Sequence, residues 1–228
     1  MKTAIVIPAR IESTRYPEKM IAQVTKEHCL IQRVHHWCCC WHPQEDVFIA
    51  TDSKRIASLF PKDKAIITSP ECSNGTERVA EAANQPLLDS YDAIINVQGD
   101  MIDVPPVIED LKNGLQNFPV VTVWSDISDD DRSNLNSVKV IRSSSRAIWF
   151  GRGISGYGDH HYGIYAYTKW ALAAYKKLPV YDGELEESLE QLRWIYNNIP
   201  VGLVYNDSPC AEINTPEDLK RWQSTHQS

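Results

Sequence analysis

Short apolar runs at residues 4–7, 47–50, 93–97 and 120–124 recur along the first part of the chain, with a weaker one at 65–67. Each is bounded by polar or turn-forming residues and is too short for a helix, so each predicts a buried strand. Pro8 is expected to end the first, because proline cannot donate to a central ladder. Between the runs, apolar residues return at helical spacing and predict helices near 29–41, 53–60, 76–87 and 105–117. Strands alternating with helices imply βαβ units, hence an α/β fold with a Rossmann-like, mostly parallel sheet flanked by helices. Ligands of such sheets sit at the carboxyl ends of the strands. The loops after the first and fourth strands are therefore where chemistry is expected.

After residue 125 the rhythm changes. An acidic loop at 126–132 precedes runs at 138–141 and 147–150 that read as paired strands, and 163–167 alternates like another strand. Leu185, Leu189, Leu192 and Ile195 recur at helical spacing, predicting one helix with Glu190 and Gln191 off its apolar seam. Thr215, Pro216, Glu217 and Asp218 supply a capping hydroxyl, a first-turn proline and first-turn acids for a final helix. No repeat or linker interrupts the pattern. The reading is a single domain over 1–228 with an inserted segment at approximately 126–200.

Composition narrows the class. At 228 residues and 43% hydrophobic, the chain fits one domain with a substantial core. No apolar run approaches the length of a membrane span, and no signal-peptide pattern precedes the first strand. A soluble, cytoplasmic protein without a membrane partner is expected. A formal charge of −7 argues against nucleic acid as a partner. Cys38, Cys39 and Cys40 lie near His35, His36 and His42, but adjacent cysteines on a helix diverge and no spaced second pair accompanies them. Free thiols in a reducing compartment are expected rather than a zinc site.

The loop after the first strand carries Arg10, Arg15 and Lys19 beside Ser13 and Thr14. Cations and free backbone N–H groups at a strand's end can cradle a polyphosphate, although a solvated basic loop would read the same. Gly75 to Arg78 places a permissive glycine and a first-turn arginine where a phosphate or base could meet them. Asp100 closes the run Asn96-Val-Gln-Gly-Asp100, and a carboxylate there suits Mg²⁺, though a plain turn fits as well. Gly151, Gly153 and Gly156 spell a dinucleotide fingerprint, but the following Tyr157-Gly-Asp-His is no helix start, so nicotinamide binding is not expected.

The wording of these segments carries a resemblance. Ile7-Pro-Ala-Arg10, Ser13-Thr-Arg15, Pro17 and Lys19 are similar to the opening signature of the cytidylyltransferases that activate acidic sugars, and the chain resembles the CMP-Kdo synthetases (Kdo being 3-deoxy-manno-octulosonate). Asn74-Gly-Thr-Glu-Arg78 is similar to that family's Ser-Gly-Thr-Glu-Arg, Asn96 to Asp100 to its Asn-Val-Gln-Gly-Asp, and Asn136 to Val140 to its Asn-Ala-Val-Lys-Val. His161-Tyr-Gly-Ile-Tyr165 and Leu189-Glu-Gln-Leu-Arg193 continue the match in the family's order across nearly the whole chain. The resemblance implies that Pro8, Ala9, Arg10, Ser13, Arg15, Lys19, Asn74, Gly75, Arg78, Gln98 and Asp100 bind nucleotide, with Arg10, Lys19 and Asp100 catalytic. It also implies that Gln98, Arg152, His161, Tyr165, Glu190 and Gln191 meet the sugar, and that Asp100 and Asn214 hold Mg²⁺.

Transfer of CMP from CTP to Kdo is the expected reaction. A homodimer formed through the 126–200 segment and a role in lipopolysaccharide synthesis are implied with it. Some departures from the family bear on the site: Met101-Ile102 stands for its Glu-Pro, Asn214 for the second metal-binding aspartate, and Glu18 for a loop glycine. They leave open transfer to another acidic sugar (8-amino-Kdo or a sialic-acid-like one), or a catalytically impaired relative that binds without turnover.

Overall fold

The computed structural model describes residues 1–13, 15–208 and 210–226, so Thr14 of the first loop lies outside the described residues. The chain runs β1 (Thr3–Ala9), α1 (Leu30–Trp41), β2 (Val47–Thr51), α2 (Lys54–Ala57), β3 (Ala65–Ile67), α3 (Gly75–Ala83), β4 (Ala93–Val97) and β5 (Met101–Asp103). There follow α4 (Ile108–Gly114), β6 (Val120–Ser125), α5 (Asp129–Arg132), β7 (Lys139–Ser143), β8 (Arg146–Gly151) and β9 (Asp159–Thr168). The remainder is α6 (Lys169–Tyr175), α7 (Asp182–Glu187), α8 (Leu192–Tyr196), β10 (Val201–Tyr205), β11 (Ala211–Glu212) and α9 (Pro216–His226). Two compact units emerge, one of Ala4–Asp89, Asn96–Pro106 and Pro209–Ser228, the other of Met1–Thr3, Ser90–Ile95 and Val107–Ser208.

In the first unit the strand order is β3-β2-β1, all mutually parallel. Every residue of β1, β2 and β4 is buried. Burial on both faces is why these strands read as unbroken apolar runs rather than as alternation. β1 does not stop at Pro8: its pairing continues through Pro8↔Ala50 to Ala9↔Thr51. A proline forfeits one donor but keeps its carbonyl, and near a strand's end that loss is tolerated. Leu30, Ile31, Val34 and Cys38 form the buried stripe of α1.

Several predicted helices are shorter than their apolar patterns. α2 spans Lys54–Ala57 instead of 53–60, and α3 stops at Ala83, after which Pro86 opens a 3₁₀ turn. β5 and β11, which pair antiparallel through Ala211↔Asp103 and Glu212↔Met101, are too short to leave a pattern in the sequence. α9 starts as its motif predicts. Thr215 Oγ1 accepts from the Asp218 N–H at 3.2 Å, and the Asp218 carboxylate accepts from the Thr215 N–H at 2.8 Å.

The second unit, which contains all of 126–200, orders its strands β9-β6-β10-β8-β7. β6 and β10 are parallel, whereas the β6–β9, β7–β8 and β8–β10 pairs are antiparallel. The run Val-Gly-Leu-Val-Tyr behind Pro200 forms β10, a strand the sequence reading missed. The single helix expected around 185–195 is two. Ser188 adopts a left-handed conformation (φ 53°) that ends α7, and α8 begins at Leu192. In consequence Leu185 is 66% exposed, while Gln191, expected off the seam, is buried.

Candidate active site

At the carboxyl ends of β1 and β4, close packing demands one glycine and brings a second against Gln98. A Cβ on Gly99 would stand 2.7 Å from the Pro8 carbonyl oxygen, a contact only glycine avoids. A Cβ on Gly75 would stand 3.1 Å from both amide atoms of Gln98 and 3.5 Å from the Pro8 ring. Pro8, Gly75 and Gln98, far apart in sequence, are thus neighbours. Asn74 caps α3 by accepting the Glu77 N–H at 2.8 Å, the task the corresponding serine could perform.

Beside them lies a charged set. Lys19, buried, donates from Nζ to Asp100 Oδ2 at 2.8 Å, leaving Asp100 Oδ1 without a partner among the described residues. The Ile213 N–H donates to the Asp100 carbonyl at 2.9 Å, which fixes the segment carrying Asn214 against the segment carrying Asp100. Arg15 donates to Asn214 Oδ1 at 3.4 Å, and Asn214 Nδ2 donates to Glu212 Oε2 at 3.3 Å. Arg10 and Arg15 are exposed, and Ser13 is half-buried. Asp100 Oδ1 and the Asn214 amide oxygen are hard donors of the kind Mg²⁺ takes, the rest of its sphere usually being water and substrate phosphates, so these are the two residues that could hold the ion.

Arg78 sits differently from its motif's suggestion. It is buried, with Nη1 donating to Thr68 Oγ1 at 2.6 Å and Nη2 to Asp52 at 2.8 Å. Its guanidinium ties α3 to the segments after β2 and β3. Glu18 occupies a left-handed conformation (φ 55°) that a glycine would adopt without strain, and its carboxylate pairs with Arg55. In α1, Cys39 lies 3.7 Å from His35 Nδ1 and Cys40 lies 3.9 Å from His36 Nε2. Burial pushes the Cys39 thiol up to about 11 and the Cys38 thiol well above its usual range. Among the described residues no group of three or more His, Cys, Asp or Glu side chains is arranged to hold a metal ion.

The second unit holds the other candidates. Arg152, just past β8, donates from its backbone N–H to Glu187 Oε2 at 2.7 Å and from Nη1 to the Asn136 carbonyl at 2.7 Å. Lys139 is fully buried, its Nζ donating to the carbonyls of Asn134, Ser137 and Arg152 at 2.8, 3.0 and 2.7 Å. Sequence reasoning passed over Lys139 as one letter of a motif and did not single out Glu187. Both prove to fix the Arg152 loop, and a lone lysine within an apolar strand was the available signal.

His161 is buried between Phe150 and Tyr165, with ring centroids 4.9 and 5.5 Å away. Tyr165 is buried in turn and stacks on Tyr167. Glu190 and Gln191 lie in the break between α7 and α8, where the Glu190 carbonyl accepts from Tyr175 Oη at 3.1 Å. Burial, seconded by the charges of His160 and Arg152, pushes the His161 imidazole down to about 3. An unfolded histidine protonates near 6.5, so at higher pH neither state is charged and the full stability is present. As pH falls below that value the unfolded chain takes a proton that the folded ring refuses. Stability is then expected to drop by up to ~1.4 kcal/mol per pH unit until pH nears 3. Urea unfolding between pH 7 and 5 checks this, and His161→Gln is expected to flatten the slope.

The cytidylyltransferase family model matches residues 4–201. The 3-deoxy-manno-octulosonate cytidylyltransferase of Nitratiruptor sp. is 36% identical over 95% of this chain and 97% of its own length. The 8-amino-3,8-dideoxy-manno-octulosonate cytidylyltransferase of Shewanella amazonensis is 31% identical over 98% of each. A solved CMP:2-keto-3-deoxy-manno-octonic acid synthetase complexed with CTP superposes with a TM-score of 0.90 at 29% identity, covering 100% of this chain and 99% of that one. The family match runs through most of the chain and the relatives match nearly end to end: the chain belongs to the cytidylyltransferase family, in the company of the manno-octulosonate cytidylyltransferases.

Proposed function

We propose that the protein transfers CMP from CTP to 3-deoxy-manno-octulosonate. The observation that carries this reading is the set of Lys19, Asp100, Arg15 and Asn214 at the strand ends, in a chain 36% identical to an enzyme of that name. The anomeric hydroxyl oxygen bonds to the α-phosphorus, the bond to the β-phosphate's bridging oxygen breaks, pyrophosphate leaves with the electron pair, and the hydroxyl proton is released. Such transfer needs alignment and charge neutralisation more than a covalent intermediate. Arg10, Arg15 and Lys19 supply cations for the triphosphate, while Asn74 and Gly75 open α3 beside Gln98. Arg152, held by Lys139 and Glu187, offers a guanidinium to the sugar's carboxylate. Mg²⁺ held by Asp100 and Asn214 would offset phosphate charge and lower the attacking hydroxyl's pKa.

Asn214 contributes an oxygen but no charge. Asn214→Asp is expected to tighten Mn²⁺ binding in the presence of CTP about tenfold, read by electron paramagnetic resonance. Unchanged affinity would remove Asn214 from the metal site.

The same reading carries a homodimer, a cytoplasmic setting and a product used in lipopolysaccharide synthesis. Exposed Trp170 and Leu185 in the second unit offer apolar surface for the dimer, and no helix among the described residues is long and apolar enough to cross a membrane. Relatives acting on the 8-amino sugar are 31–34% identical to this chain, which favours that sugar as a second reading. Pyrophosphate release with each sugar separates the two: a larger kcat/KM with 3-deoxy-manno-octulosonate is expected, and a larger value with the 8-amino sugar would replace the first reading.

A further inference from the structure

The partition of hydrogen bonds around His161 fixes what its ring can do. β9 bulges against β6: Thr122 pairs with Tyr165 and Val123 with Tyr162, so Gly163 and Ile164 have no partner on β6. Bulges free carbonyls from the ladder and re-aim the neighbouring side chains. Here the Thr122 hydroxyl fills the gap, lying 2.8 Å from the Ile164 carbonyl, 3.2 Å from the Tyr162 carbonyl and 2.9 Å from His161 Nε2. Carbonyl oxygens only accept, and a hydroxyl has one proton to give. That proton goes to the bulge, so toward the ring the Thr122 oxygen acts as an acceptor.

His161 Nε2 must then carry the ring's proton, leaving Nδ1 bare. No other hydrogen bond to the ring is found among the described residues. We infer that Thr122 is a positioning residue: it locks His161 as the neutral Nε2–H tautomer, whose Nδ1 accepts a hydroxyl of the sugar and cannot serve the sugar's carboxylate. The carboxylate falls to Arg152, a guanidinium of the same unit. This deepens the proposed function and rests on it for the identity of the ligand.

Histidine ¹⁵N spectra of the full-length protein test the lock without turnover. Wild type is expected to show a pyrrole-type Nε2 and a pyridine-type Nδ1, and adding 3-deoxy-manno-octulosonate is expected to move only the Nδ1 signal toward the hydrogen-bonded range. Thr122→Val, which keeps the shape but not the hydroxyl, is expected to lose the fixed tautomer and raise the KM for the sugar about tenfold with the KM for CTP unchanged. Thr122→Ser is expected to restore both. A protonated Nδ1 in wild type, the wild-type tautomer retained in Thr122→Val, or an unchanged sugar KM in that variant overturns the inference. Should Thr122→Val fail to fold, the wild-type spectrum and Thr122→Ser still decide. An enzyme inert with this sugar but showing the Nε2–H tautomer would count against the proposed substrate and leave the lock standing.

Discussion

Asp100→Ala is expected to cut pyrophosphate release at least ~100-fold, the scale on which charge-stabilising groups of enzyme sites act. The position of residue 100 is set by backbone: Gly99 packs against the Pro8 carbonyl, and the Asp100 carbonyl accepts from Ile213. Removing the side chain therefore leaves the strand end in place while deleting the carboxylate that pairs with Lys19. Lys19 is buried and would lose its counter-charge, so Asp100→Asn, which keeps shape and an oxygen, is the companion variant. Both are expected to retain the wild-type circular dichroism spectrum and to bind Mn²⁺ more weakly. Activity within a few-fold of wild type in both would remove Asp100 from the chemistry.

Glu184→Gln is expected to destabilise the protein by about 3–5 kcal/mol, the cost of breaking a buried ion pair from one side. Arg193 donates from Nε to both carboxylate oxygens of Glu184 at 3.0 Å and from Nη2 to Oε1 at 2.6 Å, with both side chains only 5% exposed. The guanidinium also lies over the Tyr175 ring at 4.1 Å. Without the glutamate's charge the guanidinium stays buried and uncompensated. Replacing both residues together, Glu184→Leu with Arg193→Met, is expected to recover most of the loss, because the pair's own desolvation cost disappears too. Urea unfolding measures both. A loss below about 1 kcal/mol in Glu184→Gln would show that the pair is not sealed from water. The pair joins α7 to α8 on either side of Glu190 and Gln191, so this variant is also expected to raise the sugar KM.

What the sequence made legible follows the physics of each element. β1, β2 and β4 are buried on both faces and appear as plain apolar runs, and the cap of α9 is written in four consecutive letters. β5 and β11 are set by a pairing across more than a hundred residues, which no local pattern records. The break at Ser188 was invisible because leucines at 185, 189 and 192 imitate one continuous helical face. At the site, Lys19, Gly75, Gln98 and Asp100 were assigned to nucleotide binding only through a family resemblance. The sequence could not say that Arg78 is occupied by Asp52 and Thr68, or that Lys139 holds the Arg152 loop, since those are matters of side-chain direction.

The most direct test of the account is ³¹P NMR of wild-type protein incubated with CTP, Mg²⁺ and 3-deoxy-manno-octulosonate. A phosphodiester resonance growing in step with pyrophosphate, and absent when the sugar is withheld, is the predicted result. No phosphodiester with this sugar or its 8-amino counterpart would contradict it, and the charged set around Asp100 would then need another reaction.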